Sequence, residues 1–369
     1  MDEAAARRRL ADAATLVVKV GTNALSRPDD TLDVDRVRAL AGELSDLRVG
    51  GRRVVLVSSG AVGAGIGLLG LSSRPADLPR LQAAAAAGQA KLIGLYDEAL
   101  NARGLHAAQL LLTGNDFKQR KRYLNVRHTL SALLSMDVVP VVNENDTVSV
   151  DEIRFGDNDR LAALVAGLFD DAALVILTAV EGLMSGTDAG AERVRFVASP
   201  DDPAMGFARD DRSSLGSGGM AAKLRAVRSA VEAGVPVAIA DGRTPGKTGR
   251  LIAGEDVGTA FAPAAVAMPA WKRWLAHAAA TGGELFLDAG AVWAVVDGGR
   301  SLLPVGVTRV RGDFDRGDIV VLRDPDCREV ARGLTNYAAA DAARLAAGDA
   351  IERPYESLVH RNNLVVVSR

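Results

Sequence analysis

The chain has 369 residues, 48% of them hydrophobic, with 44 Lys and Arg against 46 Asp and Glu and a formal net charge of −2. That length and apolar share support a large core plus one smaller domain, while the near-neutral balance argues against a polybasic coat for nucleic acid or anionic membrane. One cysteine, Cys327, excludes an intrachain disulfide and a cysteine metal cluster.

The amino end, MDEAAARRRLADAATLVVKV, sets acids ahead of its arginines and holds no uninterrupted apolar core, so a secretory signal is not expected. No later run reaches membrane length, because Asp170 and Asp171 split residues 161–180 into a helix and a strand. A soluble, cytoplasmic protein is the expectation.

Residues 15–20 (TLVVKV) read as a short buried strand running into Gly21, Thr22 and Asn23, with Lys19 embedded in it. Lysine inside a buried strand is costly unless it is paired or reaches a ligand, which makes Lys19 a candidate site residue. Residues 33–50 follow with Val34, Val37, Leu40, Ala41, Leu44 and Leu47 on one helical face, stopped by Gly50 and Gly51. Residues 53–58 form the next strand and run straight into Ser59, Gly60, Ala61, Val62 and Gly63. Glycine after a buried strand lets backbone N–H groups approach an anion at a helix start.

Two motifs are decoys. Gly65, Gly67 and Gly70 fit G-x-G-x-x-G but lie beyond the strand with no acid about 20 residues later, so they read as close helix packing. The segment 242–248 (GRTPGKT) is one residue short of a phosphate loop and contains Pro245, so a plain loop is expected.

Residues 81–100 read as an alanine-rich helix, 106–112 as a strand, and 118–136 as a helix whose charged start (KQRKR) is a solvated face or an oligomer contact. Residues 138–142 form a strand that delivers Asn143, Glu144, Asn145 and Asp146. Gly156, Asp157, Asn158 and Asp159 then open a helix that continues to 169, and residues 174–178 form a strand. Strands alternating with helices predict an α/β fold whose parallel sheet is covered on both sides. In such sheets ligands bind beyond the carboxyl ends of the strands, so the two Asx-rich loops read either as a site for a small polar ligand or as turns and caps.

Periodicity fades over 186–211, which suggests a surface excursion near the site. In LGSGGMAAK (215–223), glycines at 216, 218 and 219 precede a helix that carries Lys223 one turn in, as in a phosphate cradle or a glycine-rich hinge. A helix over 220–234 and a strand over 236–240 close the pattern. Composition shifts at 262–269 and at Trp271, Lys272, Arg273 and Trp274, which marks a domain boundary. Beyond it, short apolar runs at 285–287, 292–296, 319–322 and 364–367 suggest a small β barrel or open sheet. Residues 283–369 carry 11 Arg and no Lys against 13 Asp and Glu, so RNA binding gains little support.

Taken in order, VVKVGT, VVLVSSGAVGAG, YLNVRHTL, VPVVNENDTV, FGDNDRLAALVA and LGSGGMAAK resemble the glutamate 5-kinases of the amino acid kinase family. The tail, from GELFLDAGA through SLLPVGV, looks like the PUA domain that follows the kinase in many bacterial members. The resemblance implies a three-layer αβα kinase domain with a mostly parallel sheet over 1–270, a linker over 271–282 and a small β-rich PUA-like domain over 283–369. It also implies transfer of the γ-phosphate of ATP to the side-chain carboxylate of glutamate, the first step of proline biosynthesis, with proline as inhibitor and a dimer or tetramer as the assembly. A glutamate side chain, pKa about 4.3, is already ionised at neutral pH and needs no general base. This suits His106, His128, His277 and His360, which all lie outside the glycine and Asx loops.

By the same resemblance Lys19 and Lys223 neutralise the phosphates and Asp159 positions the two lysines. Substrate falls to Ser59, Gly60, Asn143, Asp146 and Asn158, with Asp146 taking the ammonium. ATP falls to Lys19, Gly21, Thr178, Ala179, Ser217, Gly218, Gly219, Met220, Ala221, Ala222 and Lys223, with Mg2+ arriving on the nucleotide and held largely by phosphate and water. One departure stands out: where the family usually has Thr-Asp, this chain has Thr178 and Ala179, and weakened but retained ATP binding is the expectation. The rival readings are another kinase of this fold, acting on aspartate, carbamate or a nucleoside monophosphate, and a proline-sensing or RNA-associated binding protein that has lost catalysis.

Overall fold

The computed structural model describes residues 1–148, 158–186, 190–207, 219–264, 272, 275, 281–349 and 355–367. The chain divides into two compact units, one formed by Met1–Asp116 and Tyr123–Ala267, the other by Phe117–Arg122 and Met268–Arg369.

Among the described residues the first unit builds an eight-stranded sheet from β1 (Thr15–Val20), β2 (Arg53–Ser58), β3 (His106–Leu112), β4 (Val138–Glu144), β5 (Ala172–Thr178), β6 (Phe196–Val197), β7 (Val237–Asp241) and β8 (Thr259–Phe261). The spatial order is β3-β4-β2-β1-β5-β7-β8-β6, and every described neighbour is parallel except β7 with β8. The first strand therefore lies in the middle, with Lys19 opposite Val57 on one side and Ile176 on the other. The chain fills one side of β1 with β2, β4 and β3, then crosses to β5, so the strand order switches at β1 and its carboxyl end faces a crevice.

The helices are α1 (Glu3–Asp12), α2 (Thr22–Leu25), α3 (Val34–Val49), α4 (Ala61–Leu69), α5 (Leu78–Asn101), α6 (Arg120–Ser135), α7 (Asn158–Ala166), α8 (Met220–Glu232) and α9 (Lys247–Ile252). Asp2, Asp33 and Asp77 cap α1, α3 and α5 by accepting from the backbone N–H three residues on. Strand alternation assigns the two faces. Leu16, Val18 and Val20 share a core with Leu40 and Leu44 of α3 and Leu92 and Tyr96 of α5. Val17 and Lys19 therefore project to the other face, where α7 packs on β1 and β5 and α8 packs on α7.

The glycines that imitate a dinucleotide fingerprint divide by role. A Cβ on Gly65 would lie 1.8 Å from the Ala84 carbonyl oxygen, and one on Gly88 would lie 1.9 Å from that of Ala61, so α4 and α5 cross backbone to backbone. Gly70 instead ends α4 in the left-handed region at φ 62°. In 242–248 the expected plain loop holds only as far as Gly246. There a left-handed φ of 81° restarts the chain as α9, anchored by buried Leu251 and Ile252. The excursion over 186–211 contributes β6, two residues paired with β8 at the sheet edge, which is too short for a period to register.

The second unit has a five-stranded sheet among its described residues: β9 (Gly283–Leu287), β10 (Val307–Gly312), β11 (Ile319–Arg323), β12 (Glu329–Thr335) and β13 (Val359–Val366). Their order is β10-β9-β11-β12-β13, with β9 and β11 parallel and the other neighbours antiparallel. The run 292–296 is a correction to the sequence reading. It is not a strand but part of helix α10 (Ala289–Val296), capped by Asp288, whose carboxylate accepts from Ala291 N at 2.7 Å. Five apolar residues do not separate the helical from the strand period, and the cap decides. Strands β10 and β12 and helix α11 (Ala339–Ala346) escape a search for apolar runs because arginine and alanine interrupt them. Of the Trp271 to Trp274 cluster, only Lys272 lies within the described residues.

Replacing Gly88 by Ala forces a methyl onto a carbonyl oxygen. It is expected to cost at least about 1–3 kcal/mol of stability, read as a lower urea midpoint, and an unchanged midpoint would show that the helices separate freely.

Candidate active site

The carboxyl ends of β1, β2, β4 and β5 carry polar residues that no buried strand needs for its own stability. Lys19 projects from β1 toward α7. Its ammonium meets Asp159 Oδ1 at 2.7 Å, and the Lys223 ammonium, from the first turn of α8, meets Asp159 Oδ2 at 3.2 Å. All three side chains are buried. Burial is the strongest influence on Lys19 and takes its ammonium below the ordinary lysine range; Asp159 opposes the shift and Lys223 adds to it. Burial would also raise the Asp159 carboxyl, but the two ammonium groups together outweigh it and hold it below the usual carboxylate range. Asp159 sits in the first turn of α7, where the helix dipole favours its charge as well. The triad sets two cations against one carboxylate in a buried place.

Beside the triad lies a neutral network. Asn143, at the end of β4, accepts through Oδ1 from Asn158 Nδ2 at 2.9 Å and from Glu144 N at 2.9 Å. Asn158, which opens α7, also donates to Ser59 Oγ at 3.1 Å and accepts from Glu144 N at 3.2 Å. Because Ser59 Oγ accepts from an amide, its own hydroxyl hydrogen is left to donate elsewhere. Gly60 follows in a left-handed conformation, φ 108°, as the N-cap of α4.

The structure thus joins Lys19, Asp159 and Lys223 directly, and Ser59, Asn143 and Asn158 directly, with the Asn158–Asp159 step linking the two groups. Gly21 lies against the lysine: a Cβ there would touch the Lys19 ammonium at 3.4 Å. Thr178 and Ala179 lie half-buried at the end of β5, and the Thr178 carbonyl accepts from Gly242 N at 2.7 Å. Gly219 brings no side chain to the N-cap of α8, and Met220, Ala221 and Ala222 form its first turn ahead of Lys223. Asp146 lies in the turn after β4, apart from the amide network. Burial pushes its carboxyl up to about 6, with the Arg74 guanidinium pulling the other way. Ser217 and Gly218, like Gly156 and Asp157, lie outside the described residues.

The profile of the amino acid kinase family matches residues 14–241, a span that holds the triad and the amide network. The chain belongs to the amino acid kinase family. The PUA domain profile matches residues 283–353, in the second unit. This kinase is 45% identical over 377 aligned residues to a protein named Glutamate 5-kinase from Rhodopirellula baltica, covering 99% of this chain and 97% of that one. A protein of the same name from Moorella thermoacetica is 45% identical over 377 residues, covering 100% of both chains. Another, from Gloeobacter violaceus, is 47% identical over 367 residues, covering 96% of this chain and 99% of that one.

Sequence reasoning about this kinase missed Gln89, whose Oε1 accepts from Asn143 Nδ2 at 3.0 Å, and Tyr96, whose hydroxyl lies 2.9 Å from Ser58 Oγ. Both lie in alanine-rich α5, which reads as packing; the available signal was a glutamine directly after a glycine in an otherwise apolar stretch.

Asp159→Asn removes the carboxylate charge that both buried ammonium groups meet. It is expected to cost about 3–5 kcal/mol of stability, with a smaller deficit at high pH, where Lys19, whose ammonium already lies below the ordinary lysine range, sheds its proton. Urea midpoints at two pH values check this, and wild-type stability at both would show that another group balances the lysines.

Proposed function

We propose that this kinase transfers the γ-phosphoryl group of ATP to the side-chain carboxylate of L-glutamate, giving L-glutamyl 5-phosphate and ADP as the first step of proline biosynthesis. The observation that carries the reading is the pair of buried ammonium groups held on one carboxylate, Lys19 and Lys223 on Asp159, beside neutral amide donors at the same strand ends. The relatives' shared name supports glutamate as the acceptor.

The chemistry matches the residues. Phosphoryl transfer between two anions needs charge neutralised and the partners held in line, and it needs little covalent help from the protein. The glutamate carboxylate is its own nucleophile at neutral pH, so no side chain has to remove a proton. Lys19 and Lys223 draw negative charge off the transferring phosphoryl oxygens, and Asp159 keeps them apart and aimed. Ser59, Asn143 and Asn158 offer neutral hydrogen bonds to the substrate, which orient it without adding charge. Asp146 takes the substrate ammonium. Gly219, Met220, Ala221 and Ala222 present the bare amino end of a thirteen-residue helix to phosphate. Both oxygens of Asp159 already face lysines, so Mg2+ would be held by the nucleotide's phosphates and water, where it shields their charge. Ala179 brings no acid to the nucleotide side, and weaker ATP binding follows.

The reading extends to a kinase domain over 1–270 and a PUA-like domain over 283–369 joined at 271–282, to feedback inhibition by proline, and to a cytoplasmic dimer or tetramer.

With glutamate and Mg-ATP, hydroxylamine should trap an acyl phosphate as hydroxamate in step with ADP release, and aspartate should give none. Lys223→Ala should lower the rate about 10²–10³-fold. Absence of hydroxamate while glutamate or proline still binds would replace the kinase reading with that of a binding protein.

A pH dependence follows from Asp146, whose carboxyl must be ionised to hold an ammonium. Below about 6 it is protonated, so kcat/KM for glutamate should fall up to about tenfold per pH unit. The limb should vanish in Asp146→Asn; if the variant retains it, another group is responsible.

A further inference from the structure

Helix α5 delivers two polar side chains to the ends of β4 and β2, and the reaction as described uses neither. Gln89 and Tyr96 stand two turns apart on one face of the helix. The close glycine crossing of α4 and α5 fixes how near that face can come, since Gly88, beside Gln89, lies against Ala61, beside Gly60.

Each side chain acts through another residue. Gln89 Oε1 accepts from Asn143 Nδ2, so the Asn143 amide nitrogen faces α5 and its oxygen faces Asn158 Nδ2 and Glu144 N. A flipped Asn143 would set its nitrogen against two further donors. The Glu144 N–H, a fixed donor to both Asn143 Oδ1 and Asn158 Oδ1, sets that polarity. Gln89, by taking the Asn143 hydrogen aimed at α5, holds the amide in place at the head of the chain that runs through Asn158 Nδ2 to Ser59 Oγ and leaves the serine hydrogen for a ligand. On the other arm, Ser58 Oγ donates its single hydrogen to the Ser59 carbonyl at 2.8 Å, so the buried Tyr96 hydroxyl must be the donor to Ser58. In a planar trans peptide the carbonyl and the following N–H point opposite ways. Holding the Ser59 carbonyl therefore turns the Gly60 N–H the other way.

We propose that α5 is the positioning wall of the glutamate pocket: Gln89 holds the Asn143 amide that anchors the Asn158 and Ser59 chain, and Tyr96 sets the Ser59–Gly60 peptide. Together they present the Ser59 hydroxyl and the Gly60 N–H as two donors to a substrate carboxylate. This rests on the glutamate reading above.

The test is steady-state kinetics with the hydroxamate assay on the full chain. Gln89→Met keeps the volume and loses the acceptor. It should raise KM for glutamate by about threefold to tenfold with KM for ATP unchanged, and it should add nothing further in an Asn143→Ala background. Tyr96→Phe keeps the buried ring, loses the hydroxyl, and should raise KM for glutamate alone; it carries the test if Gln89→Met does not fold. Wild-type KM for glutamate in the folded variants, equal rises for both substrates, or full additivity with Asn143→Ala overturns the proposal while leaving the kinase reading intact. A wild type that forms no hydroxamate overturns both.

Discussion

One buried carboxylate holds two ammonium groups, and the rest of the first unit is arranged so that this can happen. Lys19 comes from the first strand, Asp159 from a helix in the middle of the chain and Lys223 from a helix near the unit's end. Burial penalises each of the three charges, and the ion pairs on Asp159 offset that cost. The three meet only once β1 is flanked by β2 and β5 and α8 has packed on α7. Folding and site assembly are therefore one event. A carboxylate shared by two lysines also spaces them, as a single pair could not.

The charged and neutral halves of the site divide along one helix end. Asn158 and Asp159 are consecutive, yet one belongs to the amide network and the other to the ion triad. Neutral hydrogen-bonding groups thus stand on one side of that step and cations on the other. A single peptide unit separates the two groups.

Much of this was legible in the sequence. A lysine inside TLVVKV had to be paired or to reach a ligand, and it is paired, with Asp159. The Asx clusters supplied Asn143, Asn158 and Asp159, because strand ends in a parallel sheet converge on one edge. Gln89 and Tyr96 were hidden because their contacts depend on which way α5 faces, and an alanine-rich helix shows only a weak preference. The second unit was read less well: Val292 to Val296 turned helical on one aspartate cap, and strands carrying arginine did not register as apolar runs. Short elements in a small sheet are decided by contacts that no local pattern encodes.

The Gly65 and Gly88 crossing has a consequence for remodelling the pocket. Two helices in backbone contact cannot move closer, and any side chain added at the contact displaces a whole helix rather than a rotamer. On the glutamate reading, the α5 side is thus the wall that cannot move. On that reading, room for an acceptor one methylene longer would have to come from changes away from the helix crossing.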